Sequence, residues 1–175
     1  MPSPPAGQRR PPESASEQRA PWPVVVVGAG PVGLCAALDL AQHGVRTLLL
    51  DEDDKRSEGS RAICFAKRTL EILDRLGVGQ RCVDKGVVWN RGKVFLHDRL
   101  LYQFDLLPES GHKRPAFINL QQYYLEQFLI DRLLESDEVE TRWNHKVVAV
   151  AQHADHVLVT VEAPDGRYQV EGSYL

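Results

Sequence analysis

The residues best suited to bind a ligand are three glycines spaced as Gly-x-Gly-x-x-Gly, at Gly28, Gly30 and Gly33. In this pattern the first glycine permits a tight turn, the second lets the backbone approach a pyrophosphate, and the third lets a helix pack closely on a strand. A helix that begins here would offer unpaired N–H groups and a partial positive charge to the phosphates. The spacing therefore predicts a dinucleotide-binding loop, whose other members are Ala29, Pro31 and Val32.

An acidic residue further along the chain supports the same interpretation. Dinucleotide-binding folds place an acid about 20 residues beyond the loop, at the end of the next strand, where it binds ribose hydroxyls. Asp51 lies 23 residues after Gly28 and directly follows an apolar run. Glu52 is the neighbouring candidate, although a solvent-exposed loop charge is the simpler interpretation of that residue. A glycine-rich turn that binds nothing would not need such an acid.

The elements that must hold these residues are a strand, a helix and a second strand. The four valines at 24–27 predict a parallel strand that is buried on both faces. Pro31 suits the first turn of a helix because its missing N–H costs nothing there. Residues 45–50 predict the second strand, which ends at Asp51. The apolar face expected along the helix consists of Leu34, Ala37, Leu38 and Ala41.

Composition narrows the class of protein. The formal net charge of −3 and the pI of about 6.1 give no basic field for nucleic acid. The three cysteines, Cys35, Cys64 and Cys82, are far apart, which disfavours a disulfide framework or a metal site and favours a reducing compartment. No apolar run approaches the roughly 20 residues of a membrane span. We therefore expect a cytoplasmic protein without nucleic-acid or membrane partners, and the sequence carries no signal for its oligomeric state.

The chain divides into a leader and one domain. Residues 1–21 are rich in Pro, Ser, Arg and Glu without apolar periodicity, which predicts a disordered leader. Residues 22–175 are expected to form an α/β domain, with one small inserted sheet within 87–107 and an antiparallel meander within 147–170. The last strands, 157–174, are expected to lack neighbours on one side and to leave an exposed edge.

Two more helices are predicted outside the glycine-loop region. Leucines at helical spacing predict a helix over residues 66–77. A longer amphipathic helix is predicted over residues 121–135, with Asn119 as its N-cap. The inward positions expected on the longer helix include Leu125, Leu129, Leu133 and Leu134.

Several of these runs together resemble one family. Residues 28–34, the Gly44-Val45-Arg46 run, the Ser60-Arg61-Ala62 run and the Gln122-x-x-Leu125-Glu126 helix are similar to those of the FAD-dependent aromatic hydroxylases. These single-component flavoprotein monooxygenases include 3-(3-hydroxyphenyl)propionate and phenol hydroxylases. The resemblance covers residues 23–175. It implies a Rossmann-like FAD-binding fold with an inserted small β-sheet and an antiparallel β-meander, incomplete at its C-terminus.

The resemblance also implies roles for individual residues. Arg61 would contact the FAD pyrophosphate or gate the flavin, and a guanidinium suits phosphate chemically. Gln122, with Gln121 as the alternative register, would hydrogen-bond the flavin or its ribityl chain. A solvated arginine and a helix cap are the corresponding structural alternatives. The family's second flavin motif, an Asp-Gly turn, would follow Leu175, so the chain is expected to be the N-terminal, FAD-binding part of an enzyme and inactive alone.

The expected function is therefore part of an NAD(P)H-dependent monooxygenase. In the resembled family NADH or NADPH reduces the FAD, and the reduced flavin activates oxygen to hydroxylate a small, phenol-like aromatic substrate. Because the cofactor performs this chemistry, no catalytic residue is assigned. Two alternatives remain at this point: an NAD-dependent dehydrogenase, since the loop and the acid also suit NAD, and a truncated dinucleotide-binding fragment without catalysis.

Overall fold

The structure is a computed structural model that describes residues 21–54 and 62–175. The predicted leader, apart from Pro21, and the predicted site residue Arg61 lie outside the described residues. The described chain divides into two compact units. The first unit contains residues 21–54 and 133–175, and the second contains residues 62–132.

The helices and strands follow one another in mixed order along the chain. They are β1 (Trp22–Val27), α1 (Pro31–Gln42), β2 (Thr47–Leu50), β3 (Cys64–Ala66), α2 (Lys67–Arg75), α3 (Gly79–Lys85), β4 (Val87–Trp89), β5 (Arg91–Leu96), β6 (Arg99–Asp105), β7 (Phe117–Asn119), α4 (Gln122–Leu133), β8 (Val139–Arg142), β9 (Lys146–Gln152), β10 (Val157–Ala163) and β11 (Gly166–Tyr174). None of the helices in the described ranges is long and apolar enough to cross a membrane. The architecture is a mixed α/β fold, as the sequence predicted.

The first unit is built on a six-stranded sheet in the order β8-β2-β1-β11-β10-β9. The pairings β8–β2, β2–β1 and β1–β11 are parallel. The pairings β11–β10 and β10–β9 are antiparallel and form the predicted meander. The expectation of an exposed edge at residues 157–174 is wrong, because β11 lies between β1 and β10. Register pairs join Trp22 to Gly172 and Val24 to Tyr174. The sheet edges are formed by β8 and β9 instead.

The core of this sheet consists of valine and leucine side chains and one tryptophan. It contains Trp22, Val25, Leu48, Leu50, Val157, Val159, Val161 and Val170. Along α1 the residues Leu34, Ala37 and Leu38 are buried, as predicted. The prediction that the first strand is buried throughout is wrong at its end, because Val27 is 49% exposed. This exposure occurs where β1 leads into the glycine loop.

The second unit contains the helices α2 and α3, all of α4 except its last residue, and two small sheets. One sheet has three strands in the order β3-β7-β4, and the other is the β5–β6 hairpin. The prediction of one small inserted sheet is therefore wrong in its number of sheets. The strands β3 and β7 have three residues each, which is too short to show a periodic pattern. Their positions are decided by antiparallel pairing of Cys64 with Asn119 across a long stretch of chain.

The start of the long helix also differs from the prediction. Asn119 is not its N-cap, because it is the last residue of β7 and α4 begins at Gln122. The side-chain oxygen of Asn119 instead accepts a hydrogen bond from the indole N–H of Trp89 at 2.9 Å. Leu134, predicted to point inward, follows the end of α4 and is 64% exposed. The other predicted leucines of this helix, Leu125, Leu129 and Leu133, are buried.

Candidate dinucleotide-binding site

The glycine loop joins the end of β1 to the start of α1 within the first unit. Gly28 has φ +98°, a left-handed conformation that favours glycine. Its N–H donates to the carbonyl of Leu50 at 2.8 Å, which ties the loop to the end of β2. A Cβ at Gly33 would lie 1.9 Å from the carbonyl oxygen of Gly28. Gly28 and Gly33 are therefore required by the loop itself.

The middle glycine has a different reason to be there. Gly30 has ordinary extended dihedrals, φ −74° and ψ 179°, and a Cβ there would meet no atom within 4 Å. The fold of the loop thus leaves room for a side chain at Gly30. A backbone that stays bare where the protein would tolerate a side chain suits close approach by a ligand.

The helix that follows leaves its N-terminus available. α1 begins at Pro31 with Gly30 as the N-cap, and no side chain caps it. The N–H of Leu34 makes the first intrahelical bond, to the carbonyl of Gly30 at 3.0 Å. The N–H groups of the preceding turn have no intrahelical acceptor, and the helix dipole places partial positive charge there. This is the geometry that binds phosphate oxygens.

Asp51 lies directly against this loop. One oxygen of its carboxylate, Oδ2, accepts a hydrogen bond from the N–H of Ala29 at 2.5 Å. The other, Oδ1, accepts from the N–H of Asp53 at 2.8 Å. A carboxylate can accept about four hydrogen bonds, so two acceptor positions remain for hydroxyl donors. The acid and the loop, 22 residues apart in sequence, thus form one polar surface at the end of β1 and β2.

Residues that sequence reasoning missed hold Asp51 in place. The N–H of Asp51 donates to the carbonyl of Arg142 at 3.0 Å, and the carbonyl of Asp51 accepts from the N–H of His145 at 2.8 Å. Between them Asn144 has φ +62° and donates its N–H to the carbonyl of Asp53 at 3.0 Å. Asparagine tolerates this left-handed conformation better than most residues. The sequence signal for this support is an asparagine two residues after the end of β8.

Glu52, the second acidic candidate, points to a different partner. Its carboxylate pairs with the ammonium group of Lys146 at 2.8 Å, and both side chains are 59% exposed. This hydrogen bond raises the pKa of Lys146. An exposed ion pair of this kind matches the simpler interpretation made for Glu52 from the sequence. The described residues contain no group of three or more His, Cys, Asp or Glu that could hold a metal ion.

Gln122 belongs to the second unit, where it is the first residue of α4. Its side chain is buried, and its amide Nε2 donates to Oε1 of Glu126 at 2.7 Å. Gln121, the alternative register, is exposed. Of the two glutamines, Gln122 is therefore the one held in a defined side-chain orientation.

The relation to known proteins follows from the same residues. A family described as "FAD binding domain" matches residues 22–175, which includes the glycine loop, Asp51 and Gln122. The chain belongs to this FAD-binding domain family. The membership confirms the resemblance stated above and favours a FAD-binding domain over the NAD-dependent dehydrogenase.

Individual relatives of this FAD-binding domain are monooxygenases. It is 36% identical over 154 residues to an anhydrotetracycline monooxygenase of Streptomyces rimosus, covering 88% of this chain and 30% of that protein. It is 29% identical over 152 residues to a 3-(3-hydroxy-phenyl)propionate/3-hydroxycinnamic acid hydroxylase of Mycolicibacterium smegmatis, covering 87% of this chain and 27% of that protein. The chain therefore spans about a third of the length of these relatives.

Similarity extends to three-dimensional structure. The crystal structure of p-nitrophenol 4-monooxygenase from Pseudomonas putida DLL-E4 superposes with a TM-score of 0.81 and 29% sequence identity. The superposition covers 87% of this chain and 39% of that one. The FAD-binding domain described here therefore shares its fold with part of a p-nitrophenol monooxygenase.

The geometry of this FAD-binding domain suits the ADP half of FAD. The bare backbone at Gly30 and the uncapped start of α1 suit the pyrophosphate, and the remaining acceptor positions of Asp51 suit ribose hydroxyls. The hydrogen bond from the N–H of Ala29 to Asp51 joins the glycine loop to the acid.

Proposed function

We propose that this chain is the FAD-binding part of an NAD(P)H-dependent flavoprotein monooxygenase that hydroxylates a phenol-like aromatic substrate. The observation that carries the proposal is the hydrogen bond from the N–H of Ala29 to the carboxylate of Asp51. It brings the predicted ribose-binding acid to the predicted phosphate-binding loop without any gap between them. The same carboxylate keeps further acceptor positions, which suit ribose hydroxyls.

The β1-α1-β2 arrangement supports a Rossmann-like description of the first unit. β1 and β2 are parallel neighbours, paired from Val24 with Thr47 to Val27 with Leu50, and α1 connects them. Ligands in such folds bind at the carboxyl ends of the strands. Both the glycine loop and Asp51 lie at those ends, so the ADP half of FAD is assigned to this position.

The remaining site residues are assigned by resemblance. We infer that Arg61 and Gln122 contact FAD, at the pyrophosphate and at the flavin or ribityl chain respectively. A guanidinium is suited to bidentate phosphate contact, and an amide can both donate and accept. When bound, reduced FAD supplies the oxygen-activating chemistry that no amino-acid side chain can supply. The protein's own contribution is to bind and orient the cofactor.

The substrate class comes from the relatives, because the chain itself spans only about a third of their length. The similar proteins are named as monooxygenases of anhydrotetracycline and p-nitrophenol and as a hydroxylase of 3-(3-hydroxy-phenyl)propionate and 3-hydroxycinnamic acid. A small aromatic substrate and NADH or NADPH as reductant are therefore part of the proposal for the enzyme that contains this domain. A cytoplasmic location is proposed as well, since Cys35, Cys64 and Cys82 are all free thiols.

The test is cofactor binding by the purified chain. We expect the chain to bind FAD weakly, measured at equilibrium by quenching of flavin fluorescence. Because the assigned site holds the ADP half, ADP should compete with FAD, whereas FMN, which lacks the adenosine and one of the two phosphates, should compete far less well. NAD binding in preference to FAD, or equal binding of FMN and FAD, would overturn the proposal.

A further inference from the structure

The buried face of α4 begins with two polar side chains, although the rest of that face is leucine. Gln122 and Glu126 lie one helical turn apart and are 9% and 1% exposed, respectively. Leu125, Leu129 and Leu133 continue the buried stripe. Only the first turn of the stripe therefore departs from the apolar pattern that a buried helix face requires.

A glutamate at position 126 is unfavourable for the stability of the fold. Its Oε1 accepts the hydrogen bond from Gln122, but its Oε2 is buried and has no hydrogen-bond partner among the described residues. A buried carboxylate oxygen without a donor opposes folding. An apolar side chain of similar volume is often at least as stabilising at such a place. The pair is also spaced i, i+4, a contact that by itself stabilises a helix only slightly.

The chemistry of the pair gives Glu126 a different use. Glu126 faces the NH₂ end of the Gln122 amide and not the carbonyl end, since it is Nε2 of Gln122 that donates to Oε1 of Glu126. The carbonyl oxygen of Gln122 is then turned away from Glu126 in a fixed orientation. A glutamine without such a partner could present either end, because the two ends are nearly the same in shape.

We propose that Glu126 is a positioning residue that fixes the Gln122 side chain as a hydrogen-bond acceptor for FAD. The inference rests on the proposed function, in which Gln122 binds the flavin or its ribityl chain. Both of those groups carry donors, the ring N–H and the ribityl hydroxyls, that an amide carbonyl can accept. Glu126 itself is not assigned a contact with the cofactor.

The first experiment measures FAD affinity by quenching of flavin fluorescence. The variants are Glu126→Gln, Gln122→Ala and the double variant, with Glu135→Gln as the control. Glu135 is exposed just past the end of α4, so this control makes the same change of charge. We expect Glu126→Gln to weaken binding about three- to tenfold, since the new amide can donate as well as accept. In the Gln122→Ala background the same change should have no further effect.

The outcomes separate this inference from the function on which it rests. If the wild-type chain binds no FAD, the proposed function is overturned and the inference with it. If the wild type binds FAD but Glu126→Gln binds equally well, or if the two effects add in the double variant, the inference alone is overturned. Glu135→Gln should bind like the wild type.

A second measurement needs no variant and covers the case in which Glu126→Gln fails to fold. In ¹⁵N-labelled wild-type protein, the side-chain NH₂ of Gln122 should show one proton protected by the bond to Glu126. Addition of FAD should shift this NH₂ signal, because the carbonyl of the same amide gains a donor. A Gln122 side-chain signal that FAD leaves unchanged, while other signals of the chain do move, would contradict the proposal.

Discussion

The carboxylate of Asp51 accepts a hydrogen bond from the backbone N–H of Ala29 at 2.5 Å. This contact joins the acid at the end of β2 to the glycine loop at the end of β1. It places acceptors for ribose hydroxyls beside N–H groups for phosphates, so two features that the sequence shows separately become one binding surface. The same contact means that Asp51 contributes to the shape of the loop as well as to its chemistry.

Replacing Asp51 is expected to weaken FAD binding strongly. Asp51→Ala removes the acceptors for the ribose and also for the N–H groups of Ala29 and Asp53. Hydrogen bonds to charged groups contribute roughly 1.5–3 kcal/mol, so affinity should fall about ten- to a hundredfold. Asp51→Asn, which keeps one acceptor oxygen, should lose less. The control is Asp54→Ala, a change at an exposed acid of the same loop. A folded Asp51→Ala chain whose FAD affinity is unchanged would refute the assignment.

Alanine substitutions at two of the loop glycines should have different effects, one on stability and the other on FAD affinity. Gly33→Ala would place its Cβ 1.9 Å from a backbone oxygen, so the free chain should lose about 1–3 kcal/mol or more of stability. Gly30→Ala meets nothing within 4 Å, so its thermal midpoint should stay near that of the wild type while FAD affinity falls. Thermal melts without ligand and FAD titrations distinguish the two effects. A Gly30→Ala chain that binds FAD normally would show that the ligand does not approach this backbone.

The buried ion pair of the second unit should make stability fall in acid. Arg114, 5% exposed, binds Asp74 through two hydrogen bonds, one of them 2.7 Å long from its Nε. These bonds, together with Lys113, hold the pKa of Asp74 below its usual 3.8. The pair therefore stabilises the fold fully above the unfolded-state pKa, and this contribution is lost as the pH falls through the lower folded-state value.

The corresponding variant is Asp74→Asn. It leaves the Arg114 guanidinium buried without its charge partner, which should cost about 3 kcal/mol at pH 7. The difference from the wild type should shrink as the pH falls below about 4. Urea denaturation at several pH values measures this, with Glu71→Gln on the same helix as a comparison that changes a less buried ion pair. A cost that does not depend on pH would mean that the pair is not ionised in the folded state.

The cysteines should differ in reactivity. Burial, with a smaller contribution from Asp39, raises the pKa of the Cys35 thiol to about 11. Cys82 is buried, whereas Cys64 is exposed. Because the thiolate is the reactive form, iodoacetamide at pH 8 should modify Cys64 first and leave Cys35 almost unmodified. Peptide mapping by mass spectrometry after timed labelling is the measurement, and equal rates at Cys35 and Cys64 in folded protein would contradict it.

The 175 residues alone are not expected to hydroxylate a substrate. They span about a third of the length of the related monooxygenases, and by resemblance the second flavin motif and the substrate pocket belong to the remainder. A flavin that the protein does not enclose loses reducing equivalents to oxygen as hydrogen peroxide. Incubation with FAD, NADPH or NADH, oxygen and a panel of phenols should therefore yield peroxide without hydroxylated product. Stoichiometric product would mean that these residues contain a complete active site.

The sequence by itself determined the features that depend on nearby residues. Three such features are local patterns: the Gly28–Gly33 spacing, the proline that starts α1 and the apolar run that ends at Asp51. They predict a tight turn, the start of a helix and the end of a strand, respectively. For the same reason the helices α2 and α4 and the strands of the meander are found close to their predicted positions. The family resemblance rests on these same local runs.

Only the tertiary structure decided which elements are neighbours and what their side chains meet. The position of β11 between β1 and β10 depends on pairing between residues more than 140 positions apart, and strand periodicity carries no information about such pairing. The same holds for Asn119, which the sequence predicted as a helix cap but which is the last residue of β7. It also holds for Glu126, because the local sequence gives no sign that this helix glutamate is buried. The burial of Glu126 beside Gln122 is set by the packing of the second unit. Helical periodicity fixes the angle of a residue around the helix axis, but not which residues cover that face.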